Sequence, residues 1–319
     1  MADILYPLRA VPGYLADRPG IQIGTYVVPD SSDDELQLLQ QLGVDWAMVT
    51  PYDGSKQTLS HYRQFKTRLA DHGLKIYRIH NESVHNSPEI TLNLPGRDDK
   101  IEEFIRFIRD IASVGIYYNT YAHMASGTWN SGVTSGRGGV KARLFDLQNA
   151  KGSWAGVTYD GKFSHDREYS EEEIWDNYEY FIRKIAPVAE QEGVYIGIHP
   201  DDPPIYPLGG VPRCIFGGFE GYKRALEIAD SPNIGVCLCV GCWLEGGEEG
   251  MGIDVPGAIR HFAERQQLFK IHFRNVTNPM PEPWTETLMD DGYMDMHVVM
   301  KTLRDVEFDG AIIPDHIPS

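Results

Sequence analysis

Side chains that bind metal ions stand at the ends of four apolar runs in the second half of the sequence. His199, Cys239, His272 and Asp315 follow the runs at 194–198, 234–238, 268–271 and 311–313. Two imidazoles, a thiolate and a carboxylate suit a divalent first-row metal such as Mn²⁺, Fe²⁺, Co²⁺ or Zn²⁺. If the runs are neighbouring parallel strands, their carboxyl ends meet at one place, so the sequence predicts a metal centre and an enzyme.

Polar residues near these four predict supporting roles. Arg274 could clamp a substrate carboxylate through two parallel N–H bonds, and His316 is placed to transfer a proton. Asp201 and Asp202 could orient a ligand imidazole and contact the substrate. Two histidines that end earlier strands, His80 and His123, are further candidate substrate contacts.

Alternative interpretations of these motifs are weaker. Cys237, Cys239 and Cys242 could suggest an iron–sulfur centre, but the remaining cysteine, Cys214, is distant in the sequence. Residues 135–139 are Gly-rich, but no helix follows closely enough to form a phosphate cradle, which favours a mobile lid tip. A single buried cysteine is usually a small apolar residue, whereas four ligand-type residues at four strand ends are hard to attribute to chance.

Eight strand-like runs alternate with helix-like segments. The predicted strands are 20–28, 46–50, 75–79, 116–121, 194–199, 234–239, 268–274 and 311–315. The predicted helices are 33–42, 59–71, 100–113, 170–193, 219–229, 255–266 and 295–306. This alternation predicts an α/β protein with a (β/α)₈ TIM barrel. A doubly wound sheet is the alternative, although the early turns carry no G-x-G-x-x-G fingerprint.

The chain is predicted to form a single barrel domain over residues 1–319, with a lid-like insertion at 123–169 after the fourth strand. The insertion is rich in Gly, Ser, Asn and Asp, and we expect it to be irregular, because loops of this length are usually functional lids or disordered. The sequence stops at Ser319 soon after the eighth strand. We therefore expect the eighth helix to be truncated or missing.

Composition limits the partners. The formal net charge of −17, without a basic stripe, argues against nucleic acid or an anionic membrane surface. The first residues do not form a signal peptide, and no apolar run is long enough to span a bilayer. Four cysteines in 319 residues do not predict a disulfide framework, so we expect a cytoplasmic protein. The sequence is compatible with a homo-oligomer and does not indicate one.

Several of these motifs together resemble the mannonate dehydratases, a family of metal-dependent, xylose-isomerase-like barrels. The resemblance is carried by His199-Pro-Asp-Asp-Pro-Pro204, Cys239-x-Gly241, His272-x-Arg274-Asn275, Gly292-x-x-Asp295-Met296 and Pro314-Asp315-His316. Tyr118-Asn119 before a long insertion also resembles the fourth strand of that family. The similarity is loose before residue 100 and closer from about residue 180 onward.

The resemblance implies a (β/α)₈ barrel that holds one Mn²⁺, with Fe²⁺ as the alternative, through His199, Cys239, His272 and Asp315. It implies a lyase that converts D-mannonate into 2-dehydro-3-deoxy-D-gluconate and water in hexuronate breakdown. His316 and Arg274 are then the expected catalytic residues. The expected substrate contacts are Asn275, Asp201, Asp202, Asn119, His123 and His80.

The sequence departs from the family pattern at several points. The family's Tyr-Gly-Pro segment is not clear here, and Gly24-Thr25-Tyr26 is the nearest stretch. Residues 285–287 read Thr-Glu-Thr where a His-Glu pair is usual, and Cys242 takes the place of a usual Ser. This sequence ends at Ser319, before the position of the functional tyrosine in the family's tail. Two alternatives to a mannonate dehydratase therefore stay open. One is a sugar isomerase, an epimerase or another aldonate dehydratase on the same barrel, and the other is an inactive barrel that binds a sugar acid.

Overall fold

The computed structural model describes residues 4–51, 53–159 and 162–319. At its centre lies a parallel sheet of eight strands. They are β1 (Gln22–Val27), β2 (Trp46–Val49), β3 (Lys75–Ile79), β4 (Tyr118–Ala122), β5 (Tyr195–His199), β6 (Ile234–Cys239), β7 (Leu268–His272) and β8 (Ala311–Ile313). Each coincides with a predicted strand to within a few residues, which confirms the predicted order of elements.

The sheet curves into a nearly closed barrel. Its hydrogen-bonded order is β3-β2-β1-β8-β7-β6-β5-β4, so β3 and β4 are the two edges that meet. Across this seam the rings of Tyr77 and Tyr118 lie 5.0 Å apart, and His85 Nδ1 lies 3.0 Å from the carbonyl oxygen of Thr120. Side chains therefore bridge the seam, in keeping with the predicted barrel.

Helices cover the outside of the barrel. They are α1 (Asp33–Gln41), α2 (Leu59–Asp71), α3 (Glu82–His85), α4 (Pro88–Thr91), α5 (Arg97–Ser113), α6 (Glu171–Glu192), α7 (Phe219–Ala229), α8 (Val240–Met251), α9 (Val255–Glu264) and α10 (Met296–Asp305). The apolar stripe of α5 is buried from Ile101 to Ile111, as its spacing predicts. Helix α8 was not predicted, because its Gly- and Glu-rich sequence has no clear helical period.

The two ends of the barrel differ in chemistry. Aromatic side chains, including Trp46, Tyr77 and Phe269, form a buried apolar cluster in the lower barrel. Tyr14, from the segment before β1, joins this cluster and donates its hydroxyl to the carbonyl of Tyr77 at 2.6 Å. Polar residues therefore concentrate at the carboxyl ends of the strands, where the site must lie.

The insertion after β4 is more regular than predicted. It contains short strands at Thr128–Asn130, Val133–Ser135, Lys141–Phe145, Lys151–Trp154 and Val157–Tyr159. Glycines at turns, such as Gly138 with φ 75° and Gly156 with φ 80°, allow the hairpins to form. The Gly-rich stretch 135–139 is the tip of one hairpin. The expectation that the insertion is irregular was wrong, because it folds into small antiparallel sheets.

One of these sheets ties the insertion to the barrel. The strand Lys141–Phe145 pairs with Trp284–Thr287, which lies in the long loop after β7. Lys141 also exchanges two backbone hydrogen bonds with Ser319, of 2.9 and 3.0 Å. Residues 314–319, which follow β8, form no helix. Within the described residues, no helix is long and apolar enough to cross a membrane.

Helix α6 offers a test of the local sequence signals. Ser170 forms a capping box, in which its hydroxyl accepts from the Glu173 amide at 3.2 Å and the Glu173 carboxylate accepts from the Ser170 amide at 2.8 Å. We expect Ser170→Ala to lower the free energy of unfolding by about 1 kcal/mol, measured by urea denaturation. Ser113→Ala is the control, because that hydroxyl only donates to a carbonyl at the end of α5. Equal effects of the two substitutions would contradict the role of the cap.

Candidate metal centre

The structure brings the four predicted metal ligands together. One ligand atom from each of His199, Cys239, His272 and Asp315 lies within 4.8 Å of the other three. His272 Nδ1 is 3.1 Å from His199 Nε2 and 3.0 Å from Asp315 Oδ1. Cys239 Sγ lies 3.9 Å from Asp315 Oδ2. That these residues bind a metal stays a prediction, which the proximity of their ligand atoms supports.

Strand register explains the convergence. Cys239 pairs with His272 across β6 and β7, and His272 pairs with Ile313, two residues before Asp315. Because inward positions alternate along each strand, these side chains reach the same interior layer. Asp315 adopts φ 63°, a left-handed conformation that is uncommon outside glycine but tolerated by Asp.

Cys239 also begins helix α8. Its sulfur accepts a hydrogen bond from the amide of Cys242 at 3.4 Å, as an N-cap. A helix amino terminus favours a thiolate. Although burial raises it, a hydrogen bond with the Cys242 side chain and the charge of Arg274 hold the pKa of Cys239 well below its ordinary value.

The charges of the four residues suit a divalent cation. Burial opposes ionisation of Asp315, but His272 and His316 hold its pKa well below the ordinary value. A thiolate and a carboxylate together supply two negative charges, and the two imidazoles would supply lone pairs once a metal displaces their protons. His272 directs Nδ1 at His199 and Asp315, and its other ring nitrogen, Nε2, is buried without a hydrogen-bond partner. The donor set therefore fits a bound metal.

The carbonyl of Pro200 orients the first imidazole. His199 Nδ1 lies 2.7 Å from this oxygen, so Nδ1–H donates to it and the lone pair of Nε2 faces the other ligands. Neither Asp201 nor Asp202, the residues expected in this role, bonds to this ring. Asp201 lies 3.9 Å from Arg213, and burial raises the pKa of Asp201 to about 6.

A buried arginine–carboxylate cluster lies beside the four ligands. It consists of Arg143, Arg274, Asp202, Glu245 and Glu286. Arg274 Nη1 is 2.7 Å from Glu245, and its Nη2 is 3.4 Å from Asp202. Arg274 is 1% exposed, so the guanidinium predicted to hold substrate already contacts protein carboxylates. Its role as a substrate clamp stays a prediction.

A second group of ligand-type residues overlaps this cluster. One ligand atom from each of Asp202, Cys242 and Glu245 also lies within 4.8 Å of the others. Arg143 and Arg274 contact these carboxylates, and Arg274 Nη2 is 3.2 Å from Cys242 Sγ. Since two guanidinium groups already supply positive charge, this group does not need a metal ion.

Glycines allow the close packing around Arg274 and Asn275. A Cβ atom at Gly241 would collide with the Arg274 side chain, and one at Gly292 would collide with Asn275. Asn275 is fully buried and donates its amide to the carbonyls of Met289 and Met294, at 3.1 and 2.8 Å. The glycines of two sequence motifs therefore have a packing role.

His316 lies where the site opens. Its Nδ1 is 2.8 Å from Glu286 Oε1, and its Nε2 is 3.3 Å from Asp315 Oδ2. The side chain is 46% exposed, in contrast to the buried ligands. This imidazole therefore lies beside the four ligands and is open to solvent.

The remaining predicted substrate contacts are held by other interactions. His80 Nε2 lies 2.6 Å from Glu82 at the end of β3. Asn119 is buried on the face of β4 that carries Tyr121, whose ring stacks on Phe181 of α6. His123 is 2% exposed. A substrate-binding role for each of these three predicted residues stays a prediction.

Several residues of the site were missed by sequence reasoning. Tyr26 ends β1 on its inward face, and its hydroxyl is 3.3 Å from Asp315 Oδ1; the alternation along β1 was a usable signal. Lys270, two residues before His272, is buried without a hydrogen-bond partner for its ammonium group. Arg143 and Glu245 gave no local signal, because their partners are distant in the sequence, whereas Glu286 was noted only where the sequence departs from the family's His-Glu pair.

Removing one ligand should remove the metal. We expect His199→Ala and Asp315→Ala each to abolish stoichiometric Mn²⁺ binding, because each deletes one of four donors, and to abolish activity with it. Metal content after gel filtration, measured by mass spectrometry, tests this. Asp305→Ala is the control, since that carboxylate pairs with Arg304 on the surface. Activity in a metal-free His199→Ala protein would contradict the assignment.

His123 should make stability depend on pH. Burial lowers the pKa of His123 to about 3, below the unfolded value of about 6.5. Between those pH values only the unfolded chain binds this proton. The contribution of the neutral ring to stability is therefore fully present above about pH 6.5 and is lost as the pH falls. Between about pH 6.5 and 5, we expect the free energy of unfolding of His123→Gln, measured by urea denaturation, to fall by about 1.5 kcal/mol less than that of the wild type.

A matched control separates this effect from general acid destabilisation. His297→Gln replaces an exposed histidine at the start of α10, and we expect it to follow the wild-type pH dependence. If His123→Gln also followed that curve, the buried ring would not be the group responsible.

Comparisons with known proteins agree with the sequence motifs. A family model described as D-mannonate dehydratase (UxuA) matches residues 33–154 and 157–319. The mannonate dehydratase of Streptococcus equi subsp. zooepidemicus (strain MGCS10565) is 31% identical over 300 residues, covering 86% of this chain and 79% of that protein. These matches confirm the family resemblance.

Solved structures agree with the fold. The mannonate dehydratase from Streptococcus suis serotype 2 matches with a TM-score of 0.77 and 27% identity, covering 92% of this chain and 84% of that chain. A xylose isomerase domain protein from Planctomyces limnophilus matches with a TM-score of 0.60 and 12% identity, covering 93% and 91% of the two chains. The second likeness confirms the xylose-isomerase-like barrel.

Proposed function

The chain belongs to the D-mannonate dehydratase family, and we propose that it is a hydro-lyase that converts D-mannonate into 2-dehydro-3-deoxy-D-gluconate and water. The main support is the convergence of four ligand atoms within 4.8 Å, with His316 at the exposed edge. A small anionic sugar acid suits such a site. Hexuronate breakdown is the metabolic setting that this reaction implies.

The metal belongs to the proposal. His199, Cys239, His272 and Asp315 would hold one Mn²⁺, with Fe²⁺ as the alternative, because mixed nitrogen, sulfur and oxygen ligands suit these ions. Such an ion would polarise the substrate carboxylate and stabilise the negative charge that develops beside it. The buried walls keep bulk water from the ligands.

Two proton transfers bring about the elimination, and a third follows it. A base removes the proton from C2, and an acid protonates the departing C3 hydroxyl, which leaves as water; the resulting enol takes a proton at C3 to give the ketone. We assign one of these roles to His316. Its Nδ1–H donates to Glu286 at 2.8 Å, so Nε2 is the atom that exchanges a proton with the substrate.

Tyr26 is a candidate for the second proton-transfer group. It approaches Oδ1 of Asp315, whereas His316 approaches Oδ2. Burial and the charge of Asp315 raise the pKa of Tyr26 well above its ordinary value, which keeps the phenol protonated. A protonated hydroxyl suits the acid that assists the departing hydroxyl.

Two further features complete the proposal. Residues 123–169 would act as a lid-like insertion on a single barrel domain. The protein would work in the cytoplasm, since all four cysteines, Cys214, Cys237, Cys239 and Cys242, are free thiols, as a reducing compartment favours.

The substrate test uses the Mn²⁺-loaded protein with D-mannonate and detects the 3-deoxy-2-keto product with thiobarbituric acid. We expect product with the wild type. We expect His316→Ala to keep its metal and lower kcat by about 100- to 10,000-fold, because proton transfer is lost. His61→Ala is the control, since that ring bonds to Thr58 at the start of α2. Turnover of a neutral ketose instead of mannonate would favour an isomerase, and metal binding without turnover of any aldonate would favour an inactive barrel.

A further inference from the structure

One side chain of the insertion connects three other segments of the site. Arg143 lies on the strand Lys141–Phe145, and each of its nitrogens faces a different carboxylate. Nη1 is 2.8 Å from Asp202 Oδ1, Nη2 is 3.0 Å from Glu245 Oε1, and Nε is 2.8 Å from Glu286 Oε1. These partners lie after β5, in α8 and in the loop after β7. A lysine, with one nitrogen at a single point, cannot reproduce this geometry.

The carboxylates need this cation. The side chains of Asp202, Glu245 and Glu286 are only 6%, 0% and 5% exposed. Buried like charges repel strongly unless they are paired, and Arg274 alone would leave three acids to share one guanidinium. Arg143 also lies over the ring of Trp284, 4.9 Å from its centroid. The side chain is therefore fixed from several directions.

Arg143 shares a carboxylate oxygen with His316. Glu286 Oε1 is 2.8 Å from Arg143 Nε and 2.8 Å from His316 Nδ1. The oxygen that accepts from the imidazole is thus the one that Arg143 holds. Displacement of Glu286 would change the orientation of the His316 ring.

The same strand holds the His316 segment through its backbone. Lys141, two residues before Arg143, donates to and accepts from Ser319, three residues after His316, at 2.9 and 3.0 Å. The insertion therefore fixes this segment at its backbone and fixes the imidazole through Glu286.

We propose that Arg143 is a positioning residue of the dehydratase: it holds Glu286 and, through it, His316, so that the insertion is part of the catalytic machinery as well as a cover. Arg143 reaches His316 only through Glu286 and need not touch the substrate. This inference rests on the proposed function for its kinetic test, but the geometry that it asserts can be measured without turnover.

The kinetic test compares Arg143→Met and Arg143→Lys in the Mn²⁺-loaded protein. We expect kcat for mannonate to fall by about 10- to 100-fold in both, since supporting residues typically contribute that much, with KM and metal content close to wild type. Arg137→Met is the matched control, because Arg137 is an arginine of the same insertion that pairs with Asp290 on the surface, where it is 47% exposed. Wild-type kcat in Arg143→Lys would overturn the proposal, and this variant also covers the case in which Arg143→Met does not fold.

A double-mutant cycle separates positioning from general structure. If Arg143 acts through His316, adding Arg143→Met to His316→Ala should lower kcat by less than about twofold further. A merely structural arginine would give the same loss in both backgrounds. Additive losses would therefore overturn the proposal.

A spectroscopic measurement keeps the inference distinct from the function. In Zn²⁺-loaded protein labelled with ¹⁵N-histidine, the Nδ1 resonance of His316 should move in Arg143→Met and stay in place in Arg137→Met. If the wild type does not turn over mannonate, the proposed function fails, and this resonance alone decides the inference. An unmoved resonance in Arg143→Met would overturn it.

Discussion

The mouth of the barrel depends on the balance of charges that have been removed from water. Cys239 and Asp315 bring a sulfur and an oxygen within 3.9 Å, and both atoms belong to groups that this environment holds in their ionised forms. Two negative charges at this distance repel strongly where the dielectric constant is low. Although burial opposes it, Cys239 and Asp315 raise the pKa values of His199 and His272, so ring protons balance part of this charge until a cation displaces them. A divalent cation shared by the four ligands is the simplest way to balance the two negative charges.

Charge alternates outward from this point. Arg274 contacts Asp315 at 3.3 Å and Glu245 at 2.7 Å, so it links the proposed ligands to the surrounding carboxylates. Arg143 then contacts those carboxylates from the insertion. The buried carboxylates and guanidinium groups stabilise one another only as pairs of opposite charge, because an unpaired buried ion is unfavourable by several kcal/mol. The insertion and the barrel are thus coupled electrostatically as well as by a shared sheet.

The features that followed from local rules were predictable from the sequence. The apolar runs of β5 to β8 and the rule that parallel strands end together were sufficient to predict that His199, Cys239, His272 and Asp315 lie close together. The strands and most helices were also found, because their apolar periods are regular and their ends carry caps such as Ser170.

The features that depend on distant partners were not predictable. Helix α8 lacks an apolar period and is capped by Cys239, which the sequence assigned only to a strand. The strands of the insertion are hidden by Gly and Ser residues, whose pairing is set by the loop after β7. Arg274 was assigned to a substrate, although its closest contacts are protein carboxylates, since no local pattern announces Glu245 or Glu286.

The central claim is that one cation binds among two ring nitrogens, a sulfur and an oxygen at the ends of β5 to β8. The most direct measurement is an anomalous difference map from crystals of the Mn²⁺-loaded protein, with data collected on both sides of the manganese edge. We expect one strong peak within bonding distance of His199, Cys239, His272 and Asp315. A peak between Asp202 and Glu245 instead, or no peak at the four ligands in fully loaded protein, would contradict the central claim.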